Sequence, residues 1–537
     1  MDSPGLRSSM RFIPIAAAVL AGIYLRWQQW PDQVLLDDEW HLVHRLVLST
    51  PRQMFFDFGF SDYSIPLGLL YSLLAAYGDL SELTLRLPML VFGIATLFVL
   101  PWLVVRRVGL ATATVFAWLL AISPLLVLYS RIARPYAITL LLAWVSVFAA
   151  HRFLARSRGD AGIGVLAILT ATLAIWLHLP AACFVGAPIV IAIAQTLTER
   201  RIDRAAKLQR AAWLAVPIAV LAGALVLPAL FANPEALALK SGVDTPTLDT
   251  WAGAWHAWLG TGSWVVAAGG ALLAIFGIAP VRRQVPEAVA LLLGTSMAVL
   301  LLYVSRPMAS QHGIIAARYL LPVLPLVLLA IAAGTQRVAQ LLAPKAARWA
   351  HVACAAAVVI TLIVLSPVDD WLRQPNRHAS HIAYYFDFRS GAHPINERLD
   401  GIPRSEFWRT LRAYPAGSRT LAVAPFYFES FDSAVPRWER ESGQSIIPGL
   451  LSGLCVDWRW GEVPPSYPFD LRNAARLSDP ASLRSRAVDF VVWEKPYLRG
   501  TEIIGEATAH CESALRERFG KPVYEDAAVA VFEAGAK

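Results

Sequence analysis

Repeatedly the chain keeps apolar residues together for about 20 positions, the length needed to cross about 30 Å of hydrocarbon, and nothing else in it restricts the fold so strongly. Such runs lie at 12–30, 83–105, 110–129, 134–153, 161–178, 180–197, 211–231, 264–280, 287–304, 317–341 and 349–367. Of 537 residues, 56% are apolar and only 16% charged, a balance that a water-soluble protein of this size would not keep on its surface. The expected fold class is therefore a polytopic α-helical membrane protein with about eleven transmembrane helices. The net charge of +8 does not point to nucleic acid, because Lys and Arg sit in short clusters between apolar runs, where they act as topology signals. Membrane lipids, not nucleic acid, are the expected surroundings. The opening MDSPGLRSSMRF enters the first run without a small-residue cleavage site and is expected to be an uncleaved first helix.

One further run, Ile65 to Gly78, is apolar but about 14 residues long, too short for an untilted span. Counting it as a span would reverse the side of every later loop, so the positive-inside rule decides. If it does not cross, one side collects Arg7, Arg11, Arg106, Arg107, Arg152, Arg156, Arg158, the TERRIDRAAKLQR loop, Arg282, Arg283, Lys345 and Arg348, and the other far fewer cations. The N-terminus is then cytoplasmic, residues 31–82 form an exterior loop, and Ile65 to Gly78 lies at the outer face as an interfacial helix. Residues 1–367 are the transmembrane module and 368–537 an exterior domain, in the periplasm of a bacterial inner-membrane protein. That domain reads as α/β, with strand-like RTLAVAPFYF, AVDFVVWEK and DAAVAVFEA and helix-like SEFWRTLRAY and CESALRERFG. Its Trp438, Trp458, Trp460 and Tyr467 could offer stacking surface to glycan or serve as core and membrane anchors. Cys455 and Cys511 fall in this domain, whose oxidising compartment permits a disulfide between them, although sequence alone does not give their distance. No internal repeat of the kind many transporters carry is visible.

With this topology, the charged residues at membrane level on the outside carry the information, because ionised groups there need partners or a function. LLDDEWHLVH, directly after the first span, places Asp37, Asp38 and Glu39 at the start of the exterior loop. YSRIARPYAI carries Arg131 and Arg134, SRPMASQHGIIAARYLLP carries Arg318, and His178 ends a span in IWLHLP. Arginine keeps its charge in poorly solvated sites and matches phosphate bidentately. A carboxylate at the same face suits a general base toward a hydroxyl or amine. Together they describe transfer from a membrane-embedded, phosphate-bearing donor, against the plainer reading of an acidic collar and snorkelling arginines. Asp37, His41 and His44, at i, i+4 and i+7, would share a helical face and are chemically suitable for a divalent metal, or are histidines satisfied within the fold.

In order and spacing over roughly residues 12–340, LLDDEWHLVH, SDYSIPLGLLYSLLAAYGDLSELTLRLPML, LYSRIARPYAITLLL and AARYLLPVLPLVLLA resemble the GT-C membrane glycosyltransferases of the protein O-mannosyltransferase and aminoarabinose transferase type. The resemblance implies a GT-C fold with a catalytic first exterior loop and an exterior α/β tail. It implies a polyprenyl-phosphate-linked sugar as donor, with a glycan, lipid or protein as acceptor. Asp38 and Glu39 match the family's Asp-Glu pair, with Asp38 as general base. Arg134 and Arg318 match positions suited to donor phosphate, with Arg131 beside them, while Asp37, His41, His44 and His178 would support the site. The chain departs from the pattern at Ser64-Ile65-Pro66, where relatives often carry His-Pro-Pro or Lys-Pro-Pro ahead of the short helix. No cofactor is implied with certainty; a divalent metal stays an open alternative. The competing functions are a transporter or lipid flippase, for which ionisable groups should stand near mid-span, and a non-enzymatic membrane subunit that keeps the fold without the chemistry.

Overall fold

The structure, a computed structural model, describes residues 12–28, 30–35, 37–57, 64–78, 80–155, 160–198, 204–373, 401–426, 435–457, 463–464 and 466–535. Among them seven helices are long and apolar enough to cross a membrane: Glu82–Ile122, Tyr136–Ala155, Ala181–Thr198, Arg204–Ala232, Trp264–Gln284, Glu287–Ser305 and the 321–342 segment. Ile13–Trp27, Ala161–Leu177 and Ala347–Val364 are shorter apolar helices at other expected spans. The chain is a multi-pass helical membrane protein.

Glu82–Ile122 would be about 60 Å long if straight, at 1.5 Å per residue. It is instead two antiparallel segments that reverse at Gly109, whose φ of 78° and ψ of 162° leave the helical region, a conformation glycine adopts without Cβ strain. The proof lies at Gly22, where an added Cβ would come within 2.7 Å of Leu97 Cδ1 and 3.0 Å of Ala121 Cβ. Those two residues would stand about 36 Å apart on a straight helix. The reversal agrees with separate expected spans at 83–105 and 110–129.

From Asp37 onward LLDDEWHLVH belongs to helix Asp37–Leu48, followed by Pro51–Phe56, whose Thr50–Gln53 capping box satisfies its first amides. Ile65–Tyr77 is a helix of 13 residues, as its apolar run predicts.

The C-terminal domain is built on a six-stranded mixed sheet. Its strands, with β1 at Leu80–Ser81 and β4 at Phe469–Asp470 set apart as one pair and β7 at Tyr497–Arg499 and β8 at Glu502–Ile504 as another, are β2 Thr420–Ala424, β3 Ser445–Leu450, β5 Ala475–Arg476, β6 Val488–Glu494, β9 Tyr524–Glu525 and β10 Val529–Glu533. The order is β5-β3-β2-β6-β10-β9, parallel from β5 to β6 and antiparallel beyond. β2, β6 and β10 coincide with the three strand-like stretches of the sequence. Cys455 and Cys511 are joined in a disulfide, Cα atoms 5.3 Å apart, which ties helix Cys511–Phe519 to the loop after β3. Trp438 is no glycan platform: it is buried and stacks on Trp408 at 4.9 Å in the domain core. Trp458 and Trp460 lie outside the described residues, and Tyr467 packs partly buried against the core that joins the domain to the helices.

Candidate functional site

The site is assembled from three segments with little regular structure at one end of the helical bundle, the end that faces the C-terminal domain. The first is 30–39, the second 130–135 and the third 306–319.

Glu39 is the centre of the first. Its side chain is 1% exposed, and Arg86, fully buried, grips it bidentately, Nε to Oε1 at 2.8 Å and Nη2 to Oε2 at 2.6 Å. A buried carboxylate is tolerated only with such pairing. Arg86 also donates to the carbonyls of Gln33 and Val34, each at 2.6 Å. Glu39 Oε1 accepts a further bond from the backbone N–H of Ala133 at 2.8 Å. That bond fastens the acidic turn to the SRIAR loop, one residue before Arg134. Asp37 and Asp38 form the start of the same helix, and their side chains lie outside the described residues.

The second segment is braced on both sides. Arg26, the buried last-turn cation of the first helix, donates from Nε to Ser130 Oγ at 3.2 Å and from Nη1 and Nη2 to the carbonyls of Ala121 and Leu120. Arg131 donates from Nε to Gln33 Oε1 at 3.2 Å and from Nη1 to the Leu25 carbonyl at 3.1 Å. The expectation that Arg131 binds phosphate is thus answered by a guanidinium directed largely into the protein, which acts as a brace. Burial pushes it down to about 9, with the nearby Arg86 charge acting in the same direction.

Arg134, almost fully buried, and Arg318, from helix Gly313–Tyr319, meet across the ring of Tyr136, 5.9 and 5.8 Å from its centroid. His178 packs edge-on against Tyr136 at 5.2 Å and stacks on Tyr319 at 5.5 Å, and Arg318 lies 5.7 Å from the Tyr319 ring. The sequence-predicted Arg134, Arg318 and His178, from three separate segments, are therefore brought together around two tyrosines. The aromatic faces favour the cations, and two guanidiniums against one ring are suited to an anionic ligand.

Helix Gly313–Tyr319 is held where it is by helix Leu248–Leu259. Gly313 and Gly253 touch backbone to backbone, so closely that a Cβ on Gly313 would lie 2.4 Å from the Gly253 carbonyl carbon. Trp258 Nε1 donates to the Ala317 carbonyl at 3.2 Å, and Thr250 Oγ1 to the Gln311 carbonyl at 2.6 Å. A cavity of about 380 Å³ opens between helices Trp264–Gln284, Glu287–Ser305 and 321–342, lined only by apolar side chains such as Trp255, Ile275, Ile278, Leu292, Val323 and Leu326. Val323 follows Arg318 by five residues, and Trp255 shares a helix with Trp258.

His41 and His44 stand on helix Asp37–Leu48 as the spacing predicts, His44 at 6.3 Å from Trp40. Among the described side chains, to which that of Asp37 does not belong, no group of three His, Cys, Asp or Glu could hold a metal ion. Sequence reasoning gives no site role to Arg86, Gln33 or Tyr136. The signal that marks Arg86 is its place in the span itself, past the N-cap Ser81, where an unpaired charge would be costly.

Fold and site define a multi-pass membrane protein with a buried cationic cluster at one end of its bundle, an apolar cavity between its helices, and a sheet domain fastened to the acidic turn at that end. Among solved structures, the chain is similar to ArnT from Cupriavidus metallidurans bound to undecaprenyl phosphate, with 13% identity, 98% of each chain covered and a TM-score of 0.46. It is similar to the apo state of the same protein, with 14% identity, 99% of each chain and a TM-score of 0.44. It is also similar to the archaeal oligosaccharyltransferase AglB from Archaeoglobus fulgidus in complex with an inhibitory peptide and a dolichol-phosphate, with 12% identity over 91% of this chain and 70% of that one and a TM-score of 0.43. A likeness of this size carries nothing about individual residues. No protein-family model and no curated protein sequence matches the chain.

Proposed function

We propose that the protein is a polyprenyl-phosphate-sugar-dependent glycosyltransferase of a bacterial inner membrane, working at the outer face, with its N-terminus cytoplasmic and residues 368–537 periplasmic. The observation that carries this is the bond from Ala133 N–H to Glu39, which fastens the acidic turn to the loop that delivers Arg134 to the Arg318–His178 cluster. A cationic cluster whose neighbouring groove is wholly apolar suits a ligand with a phosphate head and a hydrocarbon tail. The distribution of Lys and Arg supports the orientation, and the Cys455–Cys511 disulfide suits an oxidising compartment.

In this reading the hydroxyl or amine of a glycan, lipid or protein acceptor attacks the anomeric carbon and gives its proton to Asp38. The bond from that carbon to the phosphate oxygen breaks in line, its electron pair leaving with the polyprenyl phosphate. A single displacement inverts the anomeric centre. Arg134 and Arg318 stabilise the phosphate as charge builds on it. Glu39, saturated by Arg86 and Ala133, does not act as a second base but fixes the turn that carries Asp38. The polyprenyl chain lies in the apolar groove, and helix Ile65–Tyr77 borders the acceptor side.

The test is Asp38→Asn in membranes supplied with undecaprenyl-phosphate-linked hexoses and pentoses. The expected loss of transfer is about 10²- to 10⁴-fold, the usual contribution of a general base. Transfer at the wild-type rate would remove Asp38 from the chemistry.

A further inference from the structure

Residues 33–35 have no helix or strand of their own and 30–32 form only a single 3-10 turn, so the course of this segment depends on what its carbonyls accept. Val34 O takes Arg86, Leu35 O takes Trp40 Nε1 at 3.2 Å, and Gln33 O takes Arg86 Nη1. The remaining donor comes from the C-terminal domain: Asn473 Nδ2 donates to Pro31 O at 2.8 Å and to Gln33 O at 3.3 Å. Gln33 is fully buried, and its side chain exchanges bonds with Arg131, from Nε2 to the Arg131 carbonyl and from Arg131 Nε to Oε1. Asn473 is thus one residue away, through Gln33, from both the acidic turn and the arginine loop.

Asn473 is itself held at the membrane module. Its backbone N–H and that of Arg472 donate to the two oxygens of Glu82, at 2.9 and 3.1 Å. β4 pairs with β1 directly before Glu82, and Leu80 N–H donates to the Pro468 carbonyl at 2.8 Å. Glu82 and Arg86 stand one turn apart on the same helix, so a single helix start binds the C-terminal domain with one residue and the acidic turn with the next.

We propose that the C-terminal domain completes the site, with Asn473 as a positioning residue that sets the acidic turn and the 130–135 loop through Gln33. The part of this proposal that concerns rate rests on the glycosyl-transfer reading; the clasp itself does not.

The test uses the purified full-length protein, wild type and Asn473→Ala, with Asn473→Gln as the variant that keeps an amide donor. Backbone hydrogen exchange is followed without substrate over residues 37–40 and 130–135. Both segments exchange faster in Asn473→Ala and are partly restored in Asn473→Gln, while the Cys455–Cys511 disulfide still forms; unchanged exchange in both overturns the clasp. With undecaprenyl-phosphate-linked sugar as donor, Asn473→Ala lowers kcat about tenfold, the effect of one lost hydrogen bond, with donor KM within about twofold and kcat partly regained by Asn473→Gln. Faster exchange with unchanged kcat overturns the positioning role. If the wild type transfers no sugar, the glycosyl-transfer reading falls and the exchange comparison alone decides the clasp.

Discussion

Among the described residues two Arg–Glu pairs with buried carboxylates brace the helical module, one at each end, and only one lies in the candidate site. Arg86–Glu39 stands at the end covered by the C-terminal domain, Arg107–Glu287 at the other, where His151 Nδ1 also approaches Glu287 Oε1 at 3.4 Å. Both carboxylates are fully covered. The Arg107 pair joins positions within or at the ends of three regular helices, with Arg107 36% exposed and lying 5.5 Å from the Phe148 ring. The Arg86 pair joins a helix to two irregular segments through backbone carbonyls and an amide, and those segments lead to further arginines. A buried ion pair is therefore no mark of function by itself. The mark is that the pair fixes backbone which regular structure does not.

The largest effect expected of breaking this symmetry is on stability. Arg86→Ala strands Glu39 in a dry site and should cost about 3–5 kcal/mol, read as a lowered unfolding midpoint in detergent. Arg107→Ala leaves Glu287 near His151, and solvent already reaches the arginine, so about 1–2 kcal/mol is expected. Equal losses would show that the two pairs do the same work.

Next comes Gly313→Ala, whose added Cβ meets the Gly253 backbone and must push helix Gly313–Tyr319 away. Arg318 moves with it, so donor KM should rise by about tenfold while kcat changes less. An unchanged KM would detach Arg318 from the donor.

A further effect lies in the C-terminal domain. The Glu494 carboxyl is enclosed although the residue as a whole is only partly covered, and burial pushes it up to about 7, against the pull of the Trp438 indole N–H. The folded domain then holds a proton that the unfolded chain releases above about 4.5, so this stabilisation is full below that pH and is lost as pH rises through 7. Glu494→Gln should flatten the slope of stability against pH between 5 and 7.5; an unaltered slope would assign the titration elsewhere.

Hydropathy and the placement of Lys and Arg made the helices readable, because bilayer thickness imposes one length on every span. The break at Gly109 falls between two runs already separate in the sequence, 83–105 and 110–129. Arg134, Arg318 and His178 were legible because a polar residue at a span end stands out against apolar neighbours. What stayed hidden is pairing across distance. Nothing local tells that Arg86 meets Glu39 across 47 positions, or that Glu82 meets Asn473 across 391. Arg131 and Arg134 look alike in YSRIARPYAI, yet their roles part because Arg131 turns toward Leu25 and Gln33.

The central claim is that the cationic cluster at the domain end binds a lipid-linked phosphate and the Arg107 pair at the other end does not. Its most direct test is the affinity of purified wild type, Arg318→Ala and Arg107→Ala for undecaprenyl phosphate in detergent or nanodiscs. Loss of a charge-assisted contact should weaken binding by Arg318→Ala about 10- to 100-fold, with Arg107→Ala matching wild type. Equal affinity of wild type and Arg318→Ala, or equal loss in both variants, would contradict it.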